Sequence, residues 1–128
     1  MTTLPDLQAA ATIAFRHCSP GGIAIFSPDC TRETFKAESE HGGSDSAGRS
    51  LRYLEWSWDP DPADSTFITD YTVVMREGHR EPRVSQDRHE MGLFSHDKWT
   101  VALTEAGFSV TVVPDKWHRQ NFVGRRPA

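Results

Sequence analysis

The sequence is poor in cysteine, in long apolar runs and in clustered positive charge. Cys18 and Cys30 are its two cysteines and show no CxxC spacing, so we expect free thiols rather than a disulfide framework. No run is long enough to span a membrane, and the N-terminal MTTLPDLQ lacks the basic start and apolar stretch of a signal peptide. The net charge of -4 leaves no basic face for a phosphate backbone. These absences predict a cytoplasmic protein that binds neither membranes nor nucleic acid.

What is present fits one ordinary globular domain over 1–128. A chain of this length buries roughly two-thirds of its unfolded surface, which is enough for a hydrophobic core. The hydrophobic share of 37% and the charged share of 25% are typical of globular proteins, while nine glycines and eight prolines indicate many loops.

The first third of the chain reads as helix, turn and strand. Apolar residues recur at helical spacing from Leu4 to His17, with Pro5 in the first turn, and Ser19-Pro20-Gly21-Gly22 ends the helix. Ile23–Phe26 is apolar without alternation, which is typical of a strand buried on both faces of a parallel sheet. The next segment permits a short helix at Thr31–Glu38, and Gly42–Gly48 is predicted to be a flexible loop.

From Leu51 the periodicity changes to two, which predicts antiparallel strands. Leu54, Trp56 and Trp58 fall on one face of the first strand. A second strand spans 67–75, and a turn at 77–80 leads into a third strand that ends at Leu93. We therefore expect a three-stranded antiparallel insert over 51–93.

The last third predicts one helix and two strands. Ser95 can cap a helix whose apolar face is Trp99, Ala102, Leu103 and Ala106 and whose stop is Gly107. Strands follow at 108–113 and 121–125. The expected fold class is α/β.

Five phrases in this order carry a family resemblance. They are RHCSPGGIAIFS at 16–27, GLF at 92–94, KW at 98–99, LTEAGF at 103–108 and FVGRR at 122–126. Together they resemble the class I, Rossmann-like, S-adenosylmethionine-dependent methyltransferases, in which a helix ends in PGG and a later helix ends in EAGF. The resemblance implies the C-terminal half of that fold, with its fifth, sixth and antiparallel seventh strands and the insert between them. The phrase HEMGLF at 89–94 is similar to the branch that contains the N,N-dimethyltransferases of nucleotide-linked amino sugars, where the insert helps to build the substrate pocket.

The sequence departs from the family in one respect that matters for activity. The family binds S-adenosylmethionine on a glycine-rich loop after its first strand, with an acidic residue at the end of the second strand. Gly21-Gly22 and Gly42-Gly43 do not substitute for that loop, so the resemblance implies this cofactor while its main binding loop is missing. Met1 would lie about halfway through the family's domain, which indicates an internal start, a split gene or a cloned fragment.

The candidate site residues lie in the insert. An amine must be deprotonated and positioned before it accepts a methyl group, so a base is useful. His89 is the candidate base, because it shares a strand face with Met91 and Leu93 and should turn toward the core or a pocket; a satisfied, half-buried histidine is the alternative. The candidate substrate contacts are Trp56, Trp58, Asp70, Tyr71, Asp87 and Glu90.

Some of these residues have structural alternatives. Trp56 and Trp58 can stack on a ring or fill core space. Asp29, just after the 23–26 strand, lies where ligands bind in open α/β sheets or serves as a loop cap. No metal site is expected, because His89-Glu90 is the one close pairing of ligand types, and neither cysteine has the context of a nucleophile.

Three functional interpretations remain open. The first is the substrate-binding portion of a methyltransferase acting on a small molecule, an amino sugar by the branch resemblance, and inactive without the cofactor half. The second is a non-catalytic remnant that serves as a ligand-binding or dimerisation module. The third is a stand-alone small-ligand-binding α+β domain with the aromatic insert as its pocket. Because strand 23–27 would lack its parallel neighbour, we also expect a homodimer, or association with a separate cofactor-binding chain, through this strand.

Overall fold

The computed structural model describes all residues 1–128 and contains two helices and seven strands. They divide into two units, Met1–Phe35 with Gly92–Ala128, and Lys36–Met91. In chain order the elements are α1 (Leu4–His17), β1 (Ile23–Phe26), β2 (Glu38–Ser46), β3 (Arg49–Trp58), β4 (Thr66–Glu77), β5 (Arg83–Gly92), α2 (His96–Glu105), β6 (Ser109–Pro114) and β7 (Gln120–Arg125). Neither helix is long and apolar enough to cross a membrane.

Helix α1 begins at a capping box. The Thr3 hydroxyl accepts a hydrogen bond from the Asp6 N–H at 3.3 Å, and the Asp6 carboxylate accepts one from the Thr3 N–H at 3.2 Å. Two backbone donors that a helix start leaves unpaired are thereby satisfied. Leu7 and Ala11 form the buried stripe of the helix. The predicted helix from Leu4 to His17 is confirmed.

The first unit contains a three-stranded sheet in the order β1-β7-β6. Strand β7 is antiparallel to both neighbours, so β1 and β6 run parallel to each other. The resemblance predicted three strands in this part of the chain, and three are present. The buried side chains that form the core of this unit are Leu7, Ala11, Phe94, Trp99, Ala102, Leu103, Phe108 and Phe122.

Two glycines of this unit sit where a side chain would be costly. Gly107 follows α2 with a φ of +110°, in the left-handed region, and ends that helix as predicted. A Cβ at Gly124 would lie 2.8 Å from the Cγ of Phe108, so this position on β7 allows the phenyl ring to pack against the backbone. The predicted helix with the face Trp99, Ala102 and Leu103, capped by Ser95, is also confirmed.

The expectation that β1 is buried on both faces is wrong. Ala24 and Phe26 pack against the core, but the side chains of Ile23 and Ile25 are 60% and 66% exposed. β1 also lies at the edge of its sheet and pairs only with β7. A short apolar run identifies a strand but does not say how many of its faces are covered.

The C-terminal segment ties the PGG turn in place. Arg126 Nη1 donates to the carbonyl oxygens of Phe15 at 2.8 Å and Cys18 at 2.7 Å, which are among the carbonyls a helix end leaves unpaired. The guanidinium also lies 4.6 Å from the centroid of the Phe15 ring. The Arg126 N–H donates to the Gly22 carbonyl at 2.9 Å, so the C-terminal segment is hydrogen-bonded to the turn before β1.

The second unit is a four-stranded sheet in the order β2-β3-β4-β5, one strand more than the predicted insert. The predicted loop at Gly42–Gly48 is wrong, because β2 pairs with β3 along its whole length and only Ala47 and Gly48 form the turn. The predicted helix at Thr31–Glu38 is also wrong, since that segment is a turn followed by the start of β2.

The physical reason for the missed strand is its composition. Glycine and small polar residues have little intrinsic strand preference, so the segment alone resembles a linker. In the folded chain the ring of Tyr53 lies against Gly42, where a Cβ would stand 2.8 Å from the ring. The neighbouring strand therefore supplies both the hydrogen-bonding partners and the packing that the segment lacks.

Candidate functional site

Several of the candidate residues of the insert lie together on β4 and β5. Asp70, Tyr71 and Asp87 line an open depression of about 620 Å³. The other residues that line it are Thr72, Gln86 and Arg88. The surface is polar, and it combines two carboxylates, a guanidinium, a phenol, a hydroxyl and an amide.

Asp70 is held as an anion by its neighbours. Its Oδ1 accepts from Arg88 Nε at 2.6 Å, and its Oδ2 accepts from Arg88 Nη2 at 3.0 Å and from Trp58 Nε1 at 3.0 Å. These hydrogen bonds, from Arg88 first and Trp58 second, hold the pKa of Asp70 below its ordinary value. A carboxylate with three donors is a poor proton acceptor, so Asp70 serves here to fix the positions of Arg88 and Trp58.

Arg88 is a residue that sequence reasoning missed. Its guanidinium carbon lies 5.8 Å from the centroid of the Trp58 ring, and the hydrogen bonds to Asp70 raise its pKa further. The signal was available, because alternation along β5 places Arg88 on the opposite face from Asp87 and His89. Arg88 therefore shares the face that carries Trp58 and Asp70. Opposite charges on neighbouring strands attract each other, so a contact between Arg88 and Asp70 could have been predicted.

His89 pairs with Asp87 rather than facing the core. Its Nε2 lies 2.9 Å from Asp87 Oδ2, and its ring centroid lies 5.1 Å from that of Tyr71. The side chain is 50% exposed, and every residue from Arg83 to Glu90 is exposed on this edge strand. The expectation that His89 turns toward the core is therefore wrong, because alternation defines a face of β5 without showing that anything covers it.

The Asp87–His89 pair has the geometry of an oriented base. If Nε2 carries the proton that is shared with Asp87, the other ring nitrogen, Nδ1, presents a lone pair. Asp87 also accepts from the backbone N–H of Arg88 at 2.9 Å, which fixes the carboxylate. The pair can attract a cation and accept a proton from it.

The two tryptophans share a face, as predicted, but they differ in environment. Trp58 is partly buried and donates to Asp70, whereas Trp56 lies opposite Asp70 in the β3–β4 register and is 56% exposed. Trp56 therefore does not fill core space. Neither Trp56 nor Glu90 lines the depression, and their roles as substrate contacts stay predictions.

Other features bear on cofactor and metal chemistry. Gly21-Gly22 lies between α1 and β1, and Gly42-Gly43 lies inside β2, so neither pair stands between the end of a strand and the start of a helix. The residues present therefore do not form the glycine-rich loop that the resemblance associates with S-adenosylmethionine. No three His, Cys, Asp or Glu side chains lie close enough to hold a metal ion, and Cys18 and Cys30 form no disulfide.

Comparison with known proteins gives a structural match without a sequence match. No protein-family model and no curated protein sequence matches the chain. Among solved structures, DesVI of Streptomyces venezuelae has a TM-score of 0.87 at 24% identity. The sugar N-methyltransferase KedS8 from a Streptoalloteichus species has 0.87 at 21%. The S-adenosylmethionine-bound CalS10, an amino pentose methyltransferase from Micromonospora echinaspora, has 0.87 at 18%.

The alignments cover almost all of this chain but only part of each solved structure. Each alignment covers 98% of this chain but 52%, 51% and 52% of DesVI, KedS8 and CalS10, so the chain spans about half the length of these structures. At these identities the likeness shows the fold. The chain therefore has the fold of about half of an S-adenosylmethionine-dependent methyltransferase, with sugar N-methyltransferases as its structural neighbours.

Proposed function

We propose that this chain is the substrate-binding portion of a methyltransferase that modifies the amino group of a small molecule, an amino sugar. The observation that carries the proposal is the Asp87–His89 pair beside Tyr71 at the polar depression. The printed descriptions of KedS8 and CalS10 as sugar and amino pentose methyltransferases support the substrate class.

The charges of the depression favour a cationic ligand. Arg88 and Asp70 neutralise each other through two hydrogen bonds. Asp87 pairs only with the His89 ring and a backbone N–H, and its side chain is 70% exposed. When His89 is neutral, Asp87 is the uncompensated charge of this surface. An ammonium group on a sugar is attracted to it.

The proton balance follows from that arrangement. An ammonium group has no lone pair, so it must lose a proton before it can act as a nucleophile. The free ring nitrogen of His89 accepts that proton, while Asp87 stabilises the resulting imidazolium. S-adenosylmethionine would supply the methyl group. Since the cofactor loop of the family is not among these residues, the role of this chain ends at binding, orienting and deprotonating the amine.

Calorimetry with matched sugars tests this role. We expect an amino sugar to bind more tightly than the same sugar with a hydroxyl in place of the amine. Asp87→Asn should weaken amine binding by about tenfold, as expected for loss of a charge-assisted hydrogen bond, and should leave the hydroxyl sugar unchanged. Glu40→Gln, an exposed position of β2 at the other edge of the same sheet, is the control.

Two results would contradict the proposal. One is equal affinity for the two sugars, and the other is an Asp87→Asn variant that binds the amine as the unmodified chain does. His89→Gln gives a further check, because it removes the proton acceptor but should keep most of the affinity for the amine. Titration with S-adenosylmethionine alone should give no binding.

We further infer that strand 23–27 is where a partner joins. Three observations support this: β1 has an unpaired edge, Ile23 and Ile25 are exposed, and the chain spans about half of the structures it matches. A free apolar edge favours strand addition. The partner is a separate cofactor-binding chain or a second copy of this one.

Oligomeric state distinguishes these partners. Light scattering should show a dimer that Ile25→Lys dissociates, or a monomer that binds the separately produced cofactor half of a neighbour such as KedS8. Val101→Lys, at an exposed position of α2, is the control. A monomer that binds no such half would contradict the inference.

A second candidate function rests on a different surface. Leu54, Trp56 and Val74 are exposed large apolar residues on one face of the β2–β5 sheet. Such a face favours a non-catalytic dimerisation module. In that case Trp56→Glu should dissociate the dimer and Ile25→Lys should not, which is the opposite of the result expected from pairing through β1.

A further inference from the structure

Two rows of side chains cross the end of the second sheet that carries the turns at 47–48 and 78–82. One row is Asp45, Ser50 and Arg76, and the next is Gly43, Arg52 and Val74. Residues two apart on a strand lie on the same face, so both rows share one face of the sheet. This face therefore carries two guanidinium groups beside an aliphatic side chain.

Arg52 lies across the neighbouring strand β2. Its Nη1 and Nη2 donate to the two carboxylate oxygens of Asp45 at 3.1 and 2.9 Å, and Nη1 also donates to the Leu51 carbonyl at 2.7 Å. A Cβ at Gly43 would stand 2.6 Å from Arg52 Cδ, so the glycine leaves room for this side chain. Arg52 thus extends toward β2, on the side away from Val74 in the register.

A pocket of about 220 Å³ lies between Arg52 and the β4–β5 turn, and we call it the arginine pocket. Its lining combines apolar and polar groups: Ser50, Leu51, Arg52, Val74, Arg76 and Pro82. Val74 remains 36% exposed, so the side chains around it do not cover it. Burial of an apolar ligand group against Val74 and Pro82 is therefore favourable.

The arginine pocket has one unpaired positive charge. Arg52 is neutralised by Asp45, whereas Arg76 forms no ion pair. Hydrogen bonds from Arg52 and Ser50, with the nearby charges of Arg52 and Arg76, hold the pKa of Asp45 below its ordinary value. Segments 45–52 and 74–83 carry five arginines and three acidic residues, whereas the whole chain has a net charge of -4. The pocket therefore lies in a locally positive region of an acidic protein, which favours an anion.

We propose that the arginine pocket binds a small monocarboxylate with an apolar body. The carboxylate accepts hydrogen bonds from the Arg76 guanidinium, whose planar fork matches its two oxygens, and the body packs against Val74 and Pro82. One unpaired arginine balances one negative charge. A free acid and the C-terminal residue of a peptide present this same chemistry. Neither Asp87 nor His89 lines the pocket, so the inference does not rest on the proposed amine site.

Calorimetric titrations of the whole chain test the pocket, with benzoate, benzamide and acetate as probes. We expect benzoate to bind about tenfold more tightly than benzamide, which has the same ring without the charge, and more tightly than acetate, which lacks the ring. N-acetylphenylalanine represents a peptide C-terminus. If it binds more tightly than benzoate, the ligand is a chain end, and if benzoate binds more tightly, the ligand is a free acid.

Two variants separate the charge from the apolar contact. Arg76→Gln should remove the preference for benzoate over benzamide, because it removes the hydrogen-bonding cation. Val74→Ser should weaken benzoate and benzamide alike, because it removes apolar contact area. Arg83→Gln makes the same change of charge at the start of β5, outside the pocket, and should leave both affinities unchanged.

Three outcomes would overturn the proposal. These are equal affinity for benzoate and benzamide, unchanged benzoate binding in Arg76→Gln, or an equal loss of benzoate binding in Arg83→Gln, which would indicate attraction by net charge alone. Equal melting temperatures of the variants check that each one is folded. The amine titrations use other residues, so the two proposals fail separately.

Discussion

The two units of this chain differ in what holds them together. Nine of the ten buried apolar side chains lie in the first unit, and one, Phe67, lies in the second. The first unit is organised around aromatic contacts, such as the stacked rings of Trp99 and Phe122 with centroids 5.4 Å apart. The second is held by its strand ladders and by polar cross-strand pairs.

Polar cross-strand pairs are a feature of the second unit, which also contains the candidate amine site. Arg52 with Asp45, Arg88 with Asp70, and Ser57 with Thr69 pair across or along the second sheet. The two ion pairs, Arg52 with Asp45 and Arg88 with Asp70, are exposed, and exposed pairs of this kind contribute little to stability. In the first unit, close packing instead couples each core side chain to its neighbours.

The largest expected loss of stability comes from removing a core side chain of the first unit. Phe122→Ala removes a fully buried ring and should lower the free energy of unfolding by about 3–5 kcal/mol. Trp56→Ala deletes a larger but exposed side chain of the second unit and should cost less than about 1 kcal/mol. Chemical denaturation measures both. Similar losses of unfolding free energy in the two variants would contradict the conclusion that apolar packing stabilises the first unit more than the second.

A smaller effect is expected from adding a methyl group in each unit. Gly124→Ala places a Cβ 2.8 Å from Phe108, which is buried and fixed, and should cost about 1–3 kcal/mol. Gly42→Ala meets the Tyr53 ring at the same distance, but that ring is only partly buried and can move. Thermal melts should therefore show the larger loss for Gly124→Ala. Partial recovery in Gly124→Ala combined with Phe108→Leu would assign the cost to this contact.

The smallest effect concerns acid stability in the second unit. The pKa of Asp70 is lower in the folded chain than its unfolded value of about 3.9, because Arg88 and Trp58 donate to it. Its contribution to stability is therefore present above about pH 4 and disappears as the pH falls through the lower folded pKa. Asp70→Asn should be less stable than the unmodified chain at pH 7, and the difference should vanish in strong acid. A difference that grows as the pH falls would contradict this sign.

The sequence predicted best the elements whose signals are local. Pro5 and the helical spacing of apolar residues gave the start of α1, and Ser95 and Gly107 bounded α2, because these signals depend on residues within a few turns. The two tryptophans on one face of β3 followed from alternation alone. The five phrases of the resemblance also led to the fold that the solved structures share.

The candidate site was predicted less completely. Asp70, Tyr71 and Asp87 do meet at one depression, but Arg88 was absent from the prediction and His89 was expected to face the core or a pocket, not an exposed partner on its own strand. Both errors have one cause, since alternation tells which residues share a face of a strand and not which faces are covered. The cross-strand hydrogen bonds of Asp70 required the register of β3 and β4 as well.

By itself, then, the sequence determined the caps, the periodicities and the order of elements, because these depend on neighbouring residues along the chain. Tertiary structure decided the rest. It made Gly42 part of a strand by pairing it with Tyr53, and it left Ile23 and Ile25 exposed on an edge strand. It also joined Asp87 to His89. Each of these outcomes depends on which partner a backbone or side chain meets in space, and local propensity does not encode that.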